Sequence, residues 1–245
     1  MKGKEKKKHL VIGTLSAVVV LLIIYFWHAN SYVHFEDINM GISICDSVGN
    51  GYGTTITVED IRYRELEEVK ELCIGNPQNY TTLTDMKKCK KAEKVTILGY
   101  AGADVAYKIL DWSRVKSKAS EKQIKEFQEG LKDVLPKLRK LKSFTFSNVY
   151  EKCQLQNIDF LAGCNKLETV SIFYSDIKDY SVLGQLPKLK EVRLEHSDIS
   201  NADDLIGANQ LERIELRNTP LSKDKGEVEK LEKAFPKAEI IINND

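Results

Sequence analysis

The chain has 245 residues; 42% of them are hydrophobic and five are proline, which excludes a disordered polar stalk. Its net charge of +1 depends on a basic tail with five lysines and one glutamate. The rest of the chain holds 32 basic side chains (37 less 5) against 35 acidic ones (36 less 1), a net charge of −3. This balance excludes a basic surface of the kind that binds nucleic acid.

The first predicted element is a transmembrane signal anchor at residues 9–28. The uncharged run from Leu10 to Trp27 follows the basic tail 1–8, and eighteen helical residues at about 1.5 Å each reach roughly 27 Å, the thickness of a bilayer core. Positive charge stays on the cytoplasmic side, so residues after about 30 are predicted to lie outside the cytoplasm. The alternative is a cleaved signal peptide, which usually has a shorter apolar region and a small-residue cleavage site.

Repeats of 22 residues dominate the C-terminal third of the chain. Leu167, Leu189 and Leu211 each open the frame L-x-x-L-x-L, with another apolar residue five positions later. The L-x-L alternation places two side chains of a short strand on one face, and one such unit cannot bury its own leucines. The copies must therefore stack as a solenoid. Rougher copies precede them at 66–74, 83–97, 135–146 and 155–164.

This pattern resembles the bacterial internalin-like leucine-rich repeats of 22 residues. The segment 35–76 also resembles the helical cap, the I-T-x-E-D-[LI] signature (here Ile56 to Ile61) and the first strand of such ectodomains. The resemblance implies an α/β solenoid with a parallel concave sheet, a linker and helical cap at 29–62, and a repeat domain at 63–245. Ser175, Ser197 and Thr219 stand where the family usually carries asparagine.

The segment 99–132 does not follow the repeat frame. Phe144 lies 49 residues after Val95, which is one repeat plus an insertion or two degenerate repeats. Ser120 and Gln123 form a capping box, and the apolar stripe after them predicts a helix over 121–134 on the convex side. Residues 103–116 hold either an extra strand or a loop that presents Trp112. At the far end, a helix at 227–235 and a strand at 239–242 are predicted to cap the solenoid.

Alternation along the strands shows which side chains face the concave surface. Glu191 is predicted to lie beside Arg213, Arg193 beside Glu215, and Glu195 beside Arg217, since equal positions of parallel strands are neighbours. These rungs form either a self-neutralising solvated surface or an ionic ligand site. Exposed aromatic side chains are typical anchors of an interface, although they can also simply cover the strand ends. The predicted concave binding patch consists of Phe173, Tyr174, Arg193 and His196.

Catalytic and metal sites leave no sequence signal. The four histidines bring no spaced nucleophile or set of three to four convergent ligands, so we expect no enzyme activity, no metal and no cofactor. Cys89 and Cys164 occupy repeat positions that should be buried, and Cys45 is expected to pack within the cap. Cys153 either pairs with Cys164 or both stay free thiols. Cys73 is predicted to face the concave surface as a possible reactive thiol.

These features together predict a single-pass membrane protein with its N-terminus in the cytoplasm and a rigid repeat module outside. The expected partners are the lipid bilayer, through residues 9–28, and a protein or cell-envelope glycan on the concave face. Two alternatives remain: a scaffold subunit of a membrane complex that acts through its anchor helix and convex face, and an extracytoplasmic enzyme.

Overall fold

The structure, a computed structural model, describes residues 2–48, 57–98, 119–148 and 155–244; for residues 2–13 and 98 it describes the backbone only. Several predictions on the sequence lie outside the described residues. They are the start of the I-T-x-E-D-[LI] signature, the strand or loop at 103–116 with Trp112, and the pairing of Cys153.

Seven parallel strands form one sheet in the order in which they occur in the chain. This order, in which each strand pairs with the strands before and after it, is that of a solenoid. It confirms the repeat architecture. The strands are β1 Glu71–Ile74, β2 Lys94–Leu98, β3 Ser143–Ser147, β4 Thr169–Ser175, β5 Glu191–Ser197, β6 Arg213–Arg217 and β7 Glu239–Asn243.

The core lies on the inner face of this sheet, where the L-x-L side chains form two continuous rows. Val170, Val192 and Ile214 stand in register in one row, and each is 0% exposed. A recurring backbone contact sets this register: the carbonyl before each of strands β1 to β5 accepts two N–H groups from the next coil, as when Lys190 O accepts from Glu212 (2.8 Å) and Arg213 (3.0 Å). Apolar burial and backbone pairing therefore specify the same stacking.

The irregular middle of the sequence lies between two strands that are neighbours in the sheet. Strand β2 pairs directly with β3, with Lys94 beside Ser143. The predicted helix is confirmed as α4, Glu121–Val134, and its capping box forms between Ser120 and Gln123. Its apolar side packs on the short turns of the return face, which places it on the convex side as predicted.

The N-terminal cap is confirmed, and buried carboxylates fasten it to the first coils. Its helix α2, Ile38–Val48, packs on β1 through buried side chains. Asp85 is fully buried, pairs with Lys88 and accepts from the backbone N–H groups of Glu36 (2.8 Å) and Asp37 (2.9 Å). Burial works against the charge of Asp37, but hydrogen bonds from Thr81 and other donors outweigh it and lower the pKa of Asp37.

Helix α1, Lys2–Asn30, is joined to this cap by a cluster of polar and aromatic contacts. His28 stacks on Tyr63 with ring centroids 4.3 Å apart, and Tyr63 belongs to the short helix α3, Tyr63–Leu66. Arg64 donates to the side chain of Asn30 at 2.8 Å, and Arg62 donates to the backbone carbonyl of Asn30 at 3.0 Å. The end of α1 is thus fixed against the first coil.

None of the helices in the described part of the chain combines the length and apolar character that crossing a bilayer requires. The anchor at 9–28 therefore stays a prediction.

At the C-terminus, the predicted helix and strand are confirmed. Helix α5, Asp203–Ile206, and helix α6, Pro220–Lys223, lie on the return side, and α7, Lys225–Ala234, follows. Strand β7 is the last strand of the sheet, and its inward side chains Ile240 and Ile242 are only partly buried because the described chain adds no further strand beside them. Strand β7 therefore ends the described sheet with one side of its inward isoleucine pair uncovered.

The described cysteines have the predicted surroundings. Cys45, Cys89 and Cys164 are buried free thiols, and burial raises the pKa of each to about 12. Cys73 lies in an outward position of β1 but is half-buried, and this burial raises its pKa to about 11. A thiol with that pKa is protonated near neutral pH, which does not favour reactivity of Cys73, and its role as a reactive thiol stays a prediction.

Candidate functional site: the concave face

The concave face is divided into two regions of different chemistry. Strands β3 and β4 carry a hydroxyl patch, and strands β5 to β7 carry a charge lattice. Both sets of side chains occupy the outward positions that alternate with the buried rows. The hydroxyl patch consists of Ser143, Thr145, Ser147, Thr169 and Ser171. The charge lattice consists of Glu191, Arg193, Arg213, Glu215, Arg217 and Glu239.

The lattice includes two of the three predicted rungs. Arg193 lies 3.8 Å from Glu215, and Arg213 lies 3.5 Å from Glu191. The third pair, Glu195 beside Arg217, is in register as predicted. Its two charges do not meet among the described ion pairs, because Arg217 turns along its own strand to Glu215 at 2.9 Å.

Other pairs extend the lattice beyond simple rungs. Arg193 also pairs with Glu191 on its own strand at 2.7 Å. Arg213 contacts Glu215 at 3.6 Å and pairs with Glu239 on β7. Glu215 is the most shielded member, with a side chain 16% exposed. Because every member of the lattice already has a partner, this region is largely self-neutralised.

A rim of three side chains follows the strand ends: Tyr174, His196 and Asn218, spaced 22 residues apart. All three have left-handed backbone conformations, with φ of 56°, 47° and 51°. The rings of Tyr174 and His196 stack with centroids 4.7 Å apart, and the amide of Asn218 lies 3.4 Å from the His196 ring. Non-glycine residues rarely adopt such φ, and repeated strained residues favour a functional role.

The left-handed step explains why two consecutive aromatic residues are accessible. Strict alternation would turn Tyr174 into the core after the outward Phe173. The left-handed step instead leaves Tyr174 40% exposed and buries the next residue, Ser175. A single backbone conformation thus places both rings at the edge of the concave face.

The residues after the rim form a buried hydroxyl ladder in place of asparagines. Ser175 Oγ accepts from Ile177 N at 3.2 Å, and Ser197 Oγ donates to Ile172 O at 3.1 Å. Thr219 Oγ1 caps α6 by accepting from Ser222 N at 3.0 Å. Each hydroxyl thus satisfies one backbone group of its own or a neighbouring coil.

The structure brings two of the four predicted patch residues into the rim and places a third, Phe173, directly before it. Tyr174 and His196 are in contact, and Phe173 lies half-buried on β4 between Ser147 and Glu195 in register. Arg193 instead belongs to the charge lattice. Asn218 was missed, although its 22-residue spacing from His196 is visible in the sequence.

The concave face offers binding chemistry. Within the described ranges, no group of three or more histidine, cysteine or carboxylate side chains is placed to hold a metal ion. The remaining chemistry comprises aromatic rings, hydroxyl groups and paired charges, which can contact a ligand by stacking and hydrogen bonding.

Comparison of the sequence with protein-family models and with curated proteins returns no match. Among solved structures, the chain is similar to internalin C2 from Listeria monocytogenes, at 16% identity and a TM-score of 0.38, covering 86% of this chain and 94% of that one. It is also similar to the leucine-rich repeat domain of the type III effector XopL, at 14% identity and a TM-score of 0.38, covering 84% of this chain and 65% of that one. A leucine-rich repeat protein of Leptospira interrogans gives 14% identity and a TM-score of 0.35 over 74% of this chain and 51% of that one.

TM-scores this low do not by themselves establish a shared fold. The solenoid fold rests on the order and register of the seven strands.

Proposed function

We propose that this protein is a membrane-anchored, extracytoplasmic binding module, without enzyme activity, that holds a protein or cell-envelope partner on its concave face. The observation that carries the proposal is the rim, where three left-handed residues hold accessible side chains beside Phe173. Backbone conformation and stacking set these side chains before any partner arrives. A preformed surface of this kind loses little conformational entropy on binding.

Helix α1 supports the anchoring part of the proposal. Its described apolar side chains find almost no cover from the rest of the protein: Leu21 is 65% exposed, Phe26 70% and Trp27 80%. Contiguous exposed apolar surface of this kind indicates a membrane or a protein partner. The basic tail before it and the aromatic residues at its end favour a bilayer with the repeats on the outer side.

The contacts between α1 and the first coil also fix the orientation of the solenoid relative to the proposed anchor. With Asn30 hydrogen-bonded by both Arg62 and Arg64, the solenoid follows the helix without a flexible linker. In a membrane, this junction would hold the concave face at a defined orientation to the surface. Partners in the cell envelope would then meet the rim in one geometry.

Proximity labelling from the outer face of intact cells tests the binding role. Labelled partners are compared for the wild type and for Phe173→Ala combined with Tyr174→Gly, because glycine tolerates the left-handed φ at 174. Glu232→Ala with Lys233→Ala, two exposed residues of α7, is the matched control. We expect the Phe173→Ala, Tyr174→Gly double variant (the rim variant) to lose partners, while the control does not. The thermal unfolding temperature of the rim variant should stay close to that of the wild type. Partners common to all three proteins would contradict a concave site and favour the scaffold alternative.

Protease added to intact cells tests the location. We expect the repeat domain to be digested before the cells are opened. Protection in intact cells, followed by digestion after lysis, would contradict the proposed orientation.

A further inference from the structure

The hydroxyl patch differs from the inner hydroxyl ladder and from the neighbouring strand β2 because its members have no hydrogen-bond partner in the described part of the chain. The side chains of Ser175, Ser197 and Thr219 on the inner ladder are all hydrogen-bonded. Thr96, the outward neighbour on β2, donates to Glu71 at 3.2 Å. In contrast, no residue that the structure describes forms a hydrogen bond with the side chains of Ser143, Thr145, Ser147, Thr169 and Ser171.

The patch is contiguous and partly enclosed. Ser143 stands in register with Thr169, and Thr145 with Ser171, so four of the hydroxyls form a compact block about 4.8 Å wide from strand to strand. Ser171 is 7% exposed and Ser147 is 9% exposed. The hydroxyl oxygens themselves keep some contact with solvent, so they are open to the concave side and can hydrogen-bond a ligand.

The charged side chains on both sides of the hydroxyl patch are already paired with opposite charges. On one side Lys94 pairs with Glu71 at 2.8 Å, and on the other Arg193 pairs with Glu191 at 2.7 Å. An ionic ligand would have to compete with these pairs. The groups left to recognise a ligand are hydroxyls, which both donate and accept, and the aromatic side chains of the rim.

The composition of the patch favours a sugar over a protein surface. Protein interfaces depend on buried aromatic, arginine and apolar anchors, whereas serine is depleted in them and serine and threonine seldom contribute much energy. The hydroxyl patch has three hydroxyl side chains on β3 and two on β4, and Phe173 stands beside Ser147 at one end of it. A ligand rich in hydroxyl groups can hydrogen-bond each of these side chains, because a hydroxyl group can both donate to and accept from another hydroxyl group.

We infer that the hydroxyl patch is a binding site for an uncharged oligosaccharide, with Phe173 and Tyr174 at one end available for contact with a sugar ring. This inference rests on the proposed function and names the class of its partner. The cell-envelope glycan becomes the primary ligand, held by hydrogen bonds to Thr145 and Ser171 at the centre of the patch.

The test is calorimetric titration of the full chain in detergent micelles with three uncharged probes: maltohexaose, cellohexaose and the fully N-acetylated chitohexaose. We expect at least one probe to bind, and Thr145→Val with Ser171→Ala to weaken its binding at least tenfold. Ser200→Ala removes an exposed hydroxyl on the return side and is the control, with unchanged affinity expected. Strand pairing and core rows are untouched by these changes, and thermal unfolding verifies that each variant folds.

Three results would overturn the inference. They are the absence of heat with all three probes at millimolar concentration, unchanged affinity of the double variant, and binding that falls steeply with added salt, which indicates an ionic ligand. If the probes do not bind but the rim variant still loses its labelled partners, the oligosaccharide site is refuted and the proposed binding module stands.

Discussion

The hydroxyl patch and the charge lattice share one backbone and one pair of core rows, yet their polar side chains are satisfied differently. In the lattice, Arg213 faces Glu191, Glu215 and Glu239, and the charges neutralise one another. In the patch, Thr145 and Ser171 have no hydrogen-bond partner among the described residues. A polar surface that is satisfied internally adds stability, whereas an unsatisfied one is available to a ligand. Variants in the two regions should therefore separate stability from binding.

The largest expected effect concerns the return side, which supports both regions. Gly184 and Gly207 touch across neighbouring coils, and a Cβ on Gly207 would lie 2.4 Å from the carbonyl oxygen of Gly184. We expect Gly207→Ala to lower the free energy of unfolding by about 1–3 kcal/mol, because the coils must move apart. Urea unfolding measures it. Gly226→Ala, where the nearest atom is a side-chain oxygen at 3.3 Å, is the control; equal stability of the two variants would contradict the close-approach argument.

The next effect concerns the lattice alone. Arg213→Met leaves three carboxylates without their shared cation, and we expect a loss of about 1 kcal/mol, the upper end for partly exposed ion pairs. The loss should shrink as salt is added, since screening weakens the wild-type network. Lys122→Met removes one exposed helical pair with Glu126 and should change stability little. A loss that does not depend on salt would mean that packing of the arginine chain matters more than its charge.

A pH-dependent effect is expected in the N-terminal cap, whose helix α2 carries Asp46. Burial raises the pKa of Asp46 from 3.8 to about 6, so its contribution to stability is complete below pH 3.8 and is lost as the pH rises through 6. We expect Asp46→Asn to be more stable than the wild type at pH 7, by up to about 1 kcal/mol after allowing for partial exposure.

The pH profile of this difference provides the check. Denaturant unfolding at several pH values should show the gap in unfolding free energy between Asp46→Asn and the wild type closing as the pH falls from about 6 to about 4. A gap that stays constant from pH 7 to pH 4 would show that ionisation of Asp46 is not its cause.

The smallest effect on stability is expected in the hydroxyl patch itself. Thr145→Val keeps the branched shape and removes a hydroxyl without a partner, so the free energy of unfolding should change by no more than about 0.5 kcal/mol. Ser175→Ala, which removes a buried hydroxyl that accepts from Ile177 N, should cost about 1 kcal/mol. Chemical unfolding of both variants compares them. A loss for Thr145→Val as large as that for Ser175→Ala would mean that the patch is structural.

The repeat architecture could be predicted because it depends on periodic burial. Leu167, Leu189 and Leu211 recur at the spacing at which each coil must cover the one before it, and the strands follow that frame. The helix at 121–134 was equally predictable, since its capping box and apolar stripe are local signals. The strand register followed as well, which is why Glu191 was correctly placed beside Arg213.

The candidate site was only partly predictable. The outward positions follow from alternation, but the choice that Arg217 makes between Glu195 and Glu215 depends on side-chain rotamers, which no repeat pattern specifies. The exposure of Tyr174 depends on a left-handed φ that its residue type gives no reason to expect.

By itself, the sequence determined where each strand lies and which side chains point inward, because burial of apolar side chains imposes a period that can be read along the chain. Only the tertiary structure decided which outward polar groups satisfy one another. Such partners come from different coils, and whether two side chains touch depends on which rotamer each adopts. The division of the concave face into a self-paired region and an unpaired region therefore became visible only when the coils were stacked.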